Sequence, residues 1–242
     1  MPQQTGSARS YELLLIAGIA ARATSFIFSK MILESLTPFN LLAVRFIIAF
    51  ILLALIFNKT VRSLTRRDWL AGLAIGTAFF ITMACEMIAL TQAASSLVSL
   101  LENCAIIFVP LLEILLYKKL PGKLTVISTG MAMLGIGIVQ VGTMGVLSFL
   151  AMLLTETPQL PQSGSQWLML AMLIIVCTGF GFTLQPMAQS HVSAARAGLF
   201  CAVSPAIAAL LGVTVLGEPF GTLDVLGLVL ILASIVMPYI KD

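Results

Sequence analysis

Apolar and polar positions alternate along this chain in long blocks, because extended apolar runs are separated by short polar loops. A helix needs about 20 predominantly apolar residues to cross the hydrocarbon core of a bilayer. The apolar runs cover residues 11–33, 38–57, 69–91, 94–117, 124–155, 166–188, 197–216 and 222–240. This pattern predicts an all-α, polytopic helical membrane protein with eight transmembrane helices in a lipid bilayer and only short segments outside it.

The fifth run, Leu124–Thr155, has an unusual length, since it contains 32 residues and no charge. As a helix it would extend roughly 48 Å, against a hydrocarbon core of about 30 Å. That is too long for one regular span and too short for two spans with a turn. Because glycine is a weak helix former, we expect a kink or break between Gly135 and Gly145. The excess length should then tilt or project on the outer side.

Positive charges distinguish one crossing by this run from two, because Lys and Arg accumulate in cytoplasmic loops. With one crossing and a cytoplasmic N-terminus, the cytoplasmic set is Arg9, Lys59, Arg62, Arg66, Arg67, Lys118, Lys119, Lys123, Arg196 and Lys241. With two crossings, Arg196 and Lys241 move outside and the asymmetry weakens. We therefore expect eight helices with both termini in the cytoplasm of a bacterium, and nine helices is the alternative.

The polar residues 1–10 are expected to form a short cytoplasmic tail. The first apolar run has small residues that would suit a signal-peptide cleavage site. Further spans with matching charge flanks follow it, so a retained first helix is the better interpretation.

Composition excludes several other classes of protein. Hydrophobic residues make up 60% of the chain and charged residues only 10%, whereas soluble domains carry about 25% charged residues. The basic residues lie in short loops without interleaved aromatics, so no nucleic-acid binding is expected. No Walker motif, HExxH motif or carboxylate-rich loop is present, and the single histidine lies outside the runs. We therefore expect neither an enzyme nor a bound cofactor or metal.

Four cysteines fall in four different apolar runs, at Cys85, Cys104, Cys177 and Cys201. Their spacing does not match a metal site. Free cysteine behaves as a small hydrophobic residue, so we expect four buried and unreactive thiols.

Two groups of short motifs resemble those of a known family. The first is Ser25-Phe-Ile-Phe-Ser-Lys30 followed by Leu41-Leu-Ala-Val-Arg-Phe46; the second is Ser204-Pro205, then Gly217-Glu218, with Gly227 in the next run. In order and spacing they resemble an EamA-type transporter of the drug/metabolite transporter superfamily. The resemblance implies ten helices in two inverted five-helix repeats around a central substrate pathway.

The chain is shorter than that plan at its centre. Residues 11–138 resemble the first repeat, helices one to five, and residues 139–242 resemble an incomplete second repeat. The sixth family helix is missing, as if helices five and seven were joined within the long fifth run. Such a joined helix would cross the membrane once, which agrees with the distribution of positive charges.

The resemblance implies a transporter of a small organic metabolite or drug-like solute, which works by secondary active transport or by exchange. The alternative is a non-transporting relic or an assembly partner, because loss of one helix would open the cavity to lipid. A homodimer is one arrangement that would seal such a cavity.

Four ionisable side chains inside the runs are the main candidates for function: Arg22, Arg45, Glu86 and Glu102. A charge in hydrocarbon costs at least about 2.5 kcal/mol, so such residues usually pair or serve a function. Their positions predict that all four meet in the outer half of the bundle. In one interpretation they are structural ion pairs. In the other they line a polar pathway, where an arginine binds an anionic group of the solute and a glutamate exchanges a proton.

Weaker candidates follow from residue type alone. The amides Asn103 and Gln185 can bridge helices or contact the solute. Pro110 and Pro205 each interrupt the helical hydrogen bonds of a run, which suits a hinge or tight packing. Glu218 matches the family's Gly-Glu loop, where we expect a structural cap or an interfacial role.

Overall fold

The computed structural model describes residues 5–103, 125–180 and 203–219, with isolated positions between 221 and 229. The regular elements of these residues are all helical. They are α1 (Thr5–Leu33), α2 (Pro38–Ile56), α3 (Asn58–Arg62), α4 (Arg66–Gln92), α5 (Ser95–Asn103), α6 (Thr125–Thr155), α7 (Gly164–Met172), a π-helix (Leu173–Phe180) and α8 (Val203–Leu216).

Four segments among the described residues are long and apolar enough to cross a membrane: Leu13–Leu33, Pro38–Ile56, Arg66–Gln92 and Gly137–Thr155. The segments Gly164–Gly179 and Ser204–Leu216 are apolar but shorter. The prediction of a helical membrane protein is confirmed. The total of eight spans stays a prediction.

Local sequence signals begin several of these helices. Pro38 occupies the first turn of α2, as predicted, where its missing N–H costs no hydrogen bond. Thr65 and Asp68 form a capping box at the start of α4, and Ser163 and Gln166 form another at the start of α7. In each box two backbone N–H groups that lack helical partners are satisfied.

Helix α6 is continuous from Thr125 to Thr155, so the break predicted between Gly135 and Gly145 is wrong, whereas the kink predicted as its alternative stays a prediction. Its glycines serve helix packing instead. A Cβ atom on Gly142 would lie 2.7 Å from the Phe50 ring, and one on Gly145 would lie 3.0 Å from the Ile47 nitrogen. Both neighbours belong to α2, so the missing side chains let α6 and α2 approach closely.

The N-terminal part of α6 lies next to the short helix α3. Gly135 packs against Leu64 and Thr60, and Thr60 belongs to α3. Helix α6 has 31 residues, about 46 Å at 1.5 Å per residue, so it is longer than a hydrocarbon core of about 30 Å. The prediction that the excess length tilts or projects on the outer side stays a prediction.

Most helix contacts fall into two groups. In the first group, α6 packs between α2 and α4. In the second group, α8 packs against α1 and α5. The π-helix contacts α1 and α2, and it therefore joins one helix of each group. The large apolar core is formed mainly by α1, α2, α4 and α6 together with Leu170, Leu173 and Ile174.

One end of the bundle, here called the cap end, is fixed by hydrogen bonds between loops. The Glu156 carboxylate after α6 accepts bonds from the backbone N–H groups of Phe39 and Asn40 at the start of α2, at 3.0 and 2.9 Å. Gln166 at the start of α7 donates to Ser35 at 2.6 Å. Helix α6 thus runs from α3 to the cap end, as a single crossing requires.

The prediction for the cysteines is partly correct. Cys177 is buried, as predicted, whereas Cys85 is exposed, so that part of the prediction is wrong. The buried side of α4 carries Gly72, Gly76, Met83, Glu86, Met87 and Leu90. Cys85 lies outside that packed side, because α4 contacts its neighbours along one face only. Cys104 and Cys201 lie outside the described residues.

Candidate functional site

The structure brings the four predicted charges together at one depth of the bundle. Arg22, Arg45, Glu86 and Glu102 each lie six to eleven residues from the cap-end terminus of their helix. At 1.5 Å per residue this places them about 9–17 Å below that end. Arg22 and Glu102 come from the second helix group, and Arg45 and Glu86 come from the first. The cluster therefore lies where the two groups meet.

Arg22 and Glu102 form an ion pair through the Arg22 Nη2 and Glu102 Oε1 atoms. Both side chains are partly exposed. The pair joins α1 to α5, which are 80 residues apart in sequence at this point. The ion-pair interpretation therefore describes the contact that these two residues make.

Arg45 is held differently, since its side chain is only 2% exposed. Its Nε donates to the Thr178 hydroxyl at 2.9 Å, and its Cζ lies 5.2 Å from the centre of the Phe46 ring. The Nη1 atom is buried without a hydrogen-bond partner. An unsatisfied buried donor on a cation is costly, so this atom is available to a ligand acceptor.

Glu86 carries a buried hydrogen-bond acceptor that also lacks a partner. It is 8% exposed, and its Oε2 atom is buried without a hydrogen-bond partner. The charges of Glu102, Arg22 and Arg45 all act on it electrostatically. Within the described part of the chain, no ion pair joins Glu86 directly to either arginine. The cluster thus contains one satisfied ion pair beside a buried cation and a buried carboxylate that each keep an unpaired atom.

The π-helix supplies two residues that sequence reasoning missed. The Thr178 hydroxyl accepts from Arg45 and donates to the Leu173 carbonyl at 2.9 Å. The Cys177 thiol donates to the Ala21 carbonyl of α1 at 3.1 Å. Short π-helical stretches occur often at functional sites. Hydropathy does not reveal a π-helix, so no signal in this single sequence could have identified these residues.

The remaining candidates lie mostly beyond the described side chains. Gln185 and Pro110 are outside the described residues, and the side chain of Asn103 is too. Pro205 is buried near the first described residue of α8. Its predicted role as a hinge stays a prediction.

Glu218 occupies the cap end, in the turn after α8. Its carboxylate accepts two bonds from the Ser95 backbone N–H, at 2.9 and 3.0 Å, and one from the Ser95 hydroxyl at 2.7 Å. Lys30 donates to the same carboxylate at 2.6 Å and to the Ala93 carbonyl at 2.7 Å. Gly217, with φ of 64°, makes the turn that presents Glu218, since glycine adopts positive φ without a steric cost. Glu218 thus caps the first turn of α5 and contacts none of the four charges.

Comparison with known proteins identifies the family. The model of the EamA-like transporter family matches residues 9–141 and again residues 138–240. The chain belongs to the EamA-like transporter family. The two matched regions meet within α6, which is therefore shared between them. No curated protein and no solved structure matches the chain significantly.

Membership in the EamA-like family identifies the chain as a membrane protein of the drug/metabolite transporter superfamily, whose members are transporters rather than enzymes. The resemblance predicted from the motifs is thereby confirmed. The first family match contains all four charges of the cluster, and the second contains Thr178, which bonds to Arg45.

Proposed function

We propose that this EamA-like protein transports a small organic solute by secondary active transport or exchange, with the four-charge cluster as its solute site. Arg45 binds an anionic group of the solute through its unpaired Nη1 atom. Glu86 exchanges a proton, and Arg22 and Glu102 neutralise each other in their ion pair. The proposal rests mainly on two buried side chains in a member of a transporter family. Arg45 and Glu86 each keep one buried polar atom without a hydrogen-bond partner.

Electrostatics supports this assignment of roles. The cluster is neutral when all four groups are ionised, and a bound anion alone would leave an excess negative charge in a medium of low dielectric. A proton taken up by Glu86 removes that excess. Glu102 is less suited to the exchange because Arg22 already occupies it.

The proposed arrangement in the membrane has eight spans, with both termini in the cytoplasm and the cap end facing outward across a bacterial inner membrane. Helix α6 acts as the joined fifth and seventh helices of the family plan. Its tight contacts with α2 and α4 support a packed bundle rather than a cavity open to lipid. A homodimer is part of the proposal only if the missing helix leaves such an opening.

The experiment compares cells that express the wild-type chain with cells that express Arg45→Gln, Glu86→Gln or Glu102→Gln. Mass spectrometry of medium and cell extracts identifies solutes whose distribution depends on the wild-type chain. We expect Arg45→Gln and Glu86→Gln to reduce that difference at least about tenfold, since each removes a group that would contact the solute. Glu102→Gln should have a smaller effect.

Glu156→Gln is the matched control, because it neutralises a carboxylate outside the cluster. Expression in the membrane is measured for each variant. Wild-type solute distributions in the Arg45→Gln and Glu86→Gln cells, at equal expression, would refute the proposed site. The absence of any difference between wild-type and empty-vector cells would instead favour the relic or assembly partner.

A further inference from the structure

A line of polar side chains leads from the cap end to the four charges. On α5 it consists of Ser95, Ser99 and Glu102, spaced by four and three residues, so all three lie on one helix face. On α1 it consists of Arg22, Ser25 and Ser29, spaced by three and four residues, and these three also share a face. The Arg22–Glu102 ion pair joins the deep ends of the two lines.

The serines of this line are buried, although hydroxyl groups gain nothing from an apolar surrounding. Ser29, Ser95 and Ser99 are fully buried, and Ser25 is nearly so. The Ser29 hydroxyl has no hydrogen-bond partner. Burying a hydroxyl without a partner is costly, and this cost is relieved when water or a polar solute reaches the hydroxyl.

Glu218 closes the cap end of this line. It is bonded to Lys30, next to Ser29, and to Ser95, where the line on α5 begins. Its carboxylate also fills the space beside Gly212 of α8, where a Cβ atom would collide with it. One side chain thus ties the ends of α1, α5 and α8 together, about 10–12 Å above the Arg22–Glu102 pair.

The other carboxylate at the cap end has a different setting. Glu156 caps α2, but its loop is also held by Asn40, which is fully buried. Asn40 donates to the Thr157 carbonyl at 2.9 Å and accepts from the Gln159 N–H at 2.6 Å. That corner would keep its connections without the Glu156 charge. At the other corner most of the side-chain bonds run through the Glu218 carboxylate, and Lys30 adds one bond to the Ala93 carbonyl.

We propose that the polar line between α1 and α5 is the solute's route between the cap end and the four charges, and that Glu218 is the latch that closes it. The inference rests on the proposed transport function, since only a transporter needs such a route. When the bonds of Glu218 to Lys30 and Ser95 break, the ends of α1, α5 and α8 separate and the line becomes accessible to water. The solute then passes the serines and reaches the Arg22–Glu102 pair first.

The test measures how fast a cysteine on the route reacts with a charged, membrane-impermeant methanethiosulfonate. The reporter is Ser29→Cys, in a chain whose four native cysteines are replaced by serine or alanine. The matched control reporter is Ser148→Cys on α6, because Ser148 is also fully buried with an unpartnered hydroxyl but lies off the line. Each reporter is combined with Glu218→Gln and, separately, with Glu156→Gln.

We expect Glu218→Gln to raise the labelling rate at position 29 at least tenfold, while Glu156→Gln changes it less than twofold. The rate at position 148 should stay low in every combination. An unchanged rate at position 29, or an equal rise at position 148 or with Glu156→Gln, would overturn the latch. If Glu218→Gln does not yield monodisperse protein, Lys30→Gln is used in its place. This variant removes the Lys30–Glu218 bond and keeps the bonds between Glu218 and Ser95, and the same labelling rates are expected.

The labelling rates require no transported solute, so the two proposals can fail separately. If the labelling rates follow the expected pattern but no solute is transported, the proposed function is refuted and the protein contains a gated cavity only. If solute is transported but Glu218→Gln leaves the labelling rate at position 29 unchanged, only the proposed route is refuted.

Discussion

Two carboxylates cap helices at the cap end of the bundle. Glu156 and Glu218 each place an anion at the first turn of a helix, where unpaired N–H groups and the helix dipole favour negative charge. Burial opposes ionisation of Glu218, but the bonds from Lys30 and Ser95 outweigh it, so the pKa of Glu218 lies below its ordinary value of 4.5. The ionised carboxylate therefore stabilises the fold.

The pH dependence follows from the sign of this shift. A lowered pKa in the folded state contributes stability that is present above pH 4.5 and lost as the pH falls through the lowered value. We expect Glu218→Gln to lower the free energy of unfolding by about 1.5 kcal/mol or more at pH 7. The difference from wild type should disappear in acid. Melting curves in detergent between pH 3 and 7 measure both values.

Glu34→Gln provides the control, since Glu34 is an exposed glutamate in the turn between α1 and α2. Its melting temperature should follow that of the wild type at every pH. A difference between wild type and Glu218→Gln that stays constant down to pH 3 would contradict the ionised cap.

At the scale of elements, glycines permit close contact between neighbouring helices. Gly76 of α4 meets α6 at Thr143, and α6 meets α2 at Gly142 and Gly145. Glycine in a helix interior costs about 1 kcal/mol relative to alanine. The close packing of α6 between α2 and α4 offsets that cost.

Gly76→Ala tests this explanation. The added Cβ would lie 2.6 Å from the Thr143 Cβ and 2.8 Å from the Gln140 carbonyl oxygen. Because a backbone atom cannot rotate away, we expect a loss of about 1–3 kcal/mol despite the better helix propensity of alanine. Thermal unfolding in detergent measures the loss.

Gly164→Ala is the matched control, because a Cβ atom there has no neighbour within 4 Å. It should leave the melting temperature unchanged or raise it slightly. A Gly76→Ala protein as stable as the wild type would show that α4 and α6 can separate at no cost.

At the scale of the whole molecule, α6 connects the two ends of the described bundle. It runs from the end at α3 to the cap end, so the chain changes sides once along this helix. Two helix groups then meet at a cluster to which each contributes one arginine and one glutamate. This division places the unpaired Arg45 and Glu86 atoms across from the Arg22–Glu102 pair.

Fusion reporters test the resulting topology. Green fluorescent protein attached after Asp242 should fluoresce, because eight spans return the C-terminus to the cytoplasm. Alkaline phosphatase attached after Gln162, in the loop between α6 and α7, should be active outside. Fluorescence lost at Asp242 with an active phosphatase fusion there would contradict eight spans and favour nine.

The sequence by itself determined the membrane environment, the helical class, the start of α2 and the four charges within the apolar runs. These follow from local hydropathy, capping residues and charge, which act over a few residues along the chain. It also indicated the family, through short motifs such as Gly217-Glu218.

Only the tertiary structure decided which of these residues meet. Arg22 pairs with Glu102, 80 residues away, whereas Arg45 bonds to Thr178, 133 residues away in a π-helix. The tertiary structure also shows that Gly142 and Gly145 serve helix packing. It places Ser29 and Ser99 in the line of polar side chains on α1 and α5, and Glu218 as the cap of α5. Such pairings depend on how helix faces are rotated against one another, and a single sequence sets helix faces but not their partners.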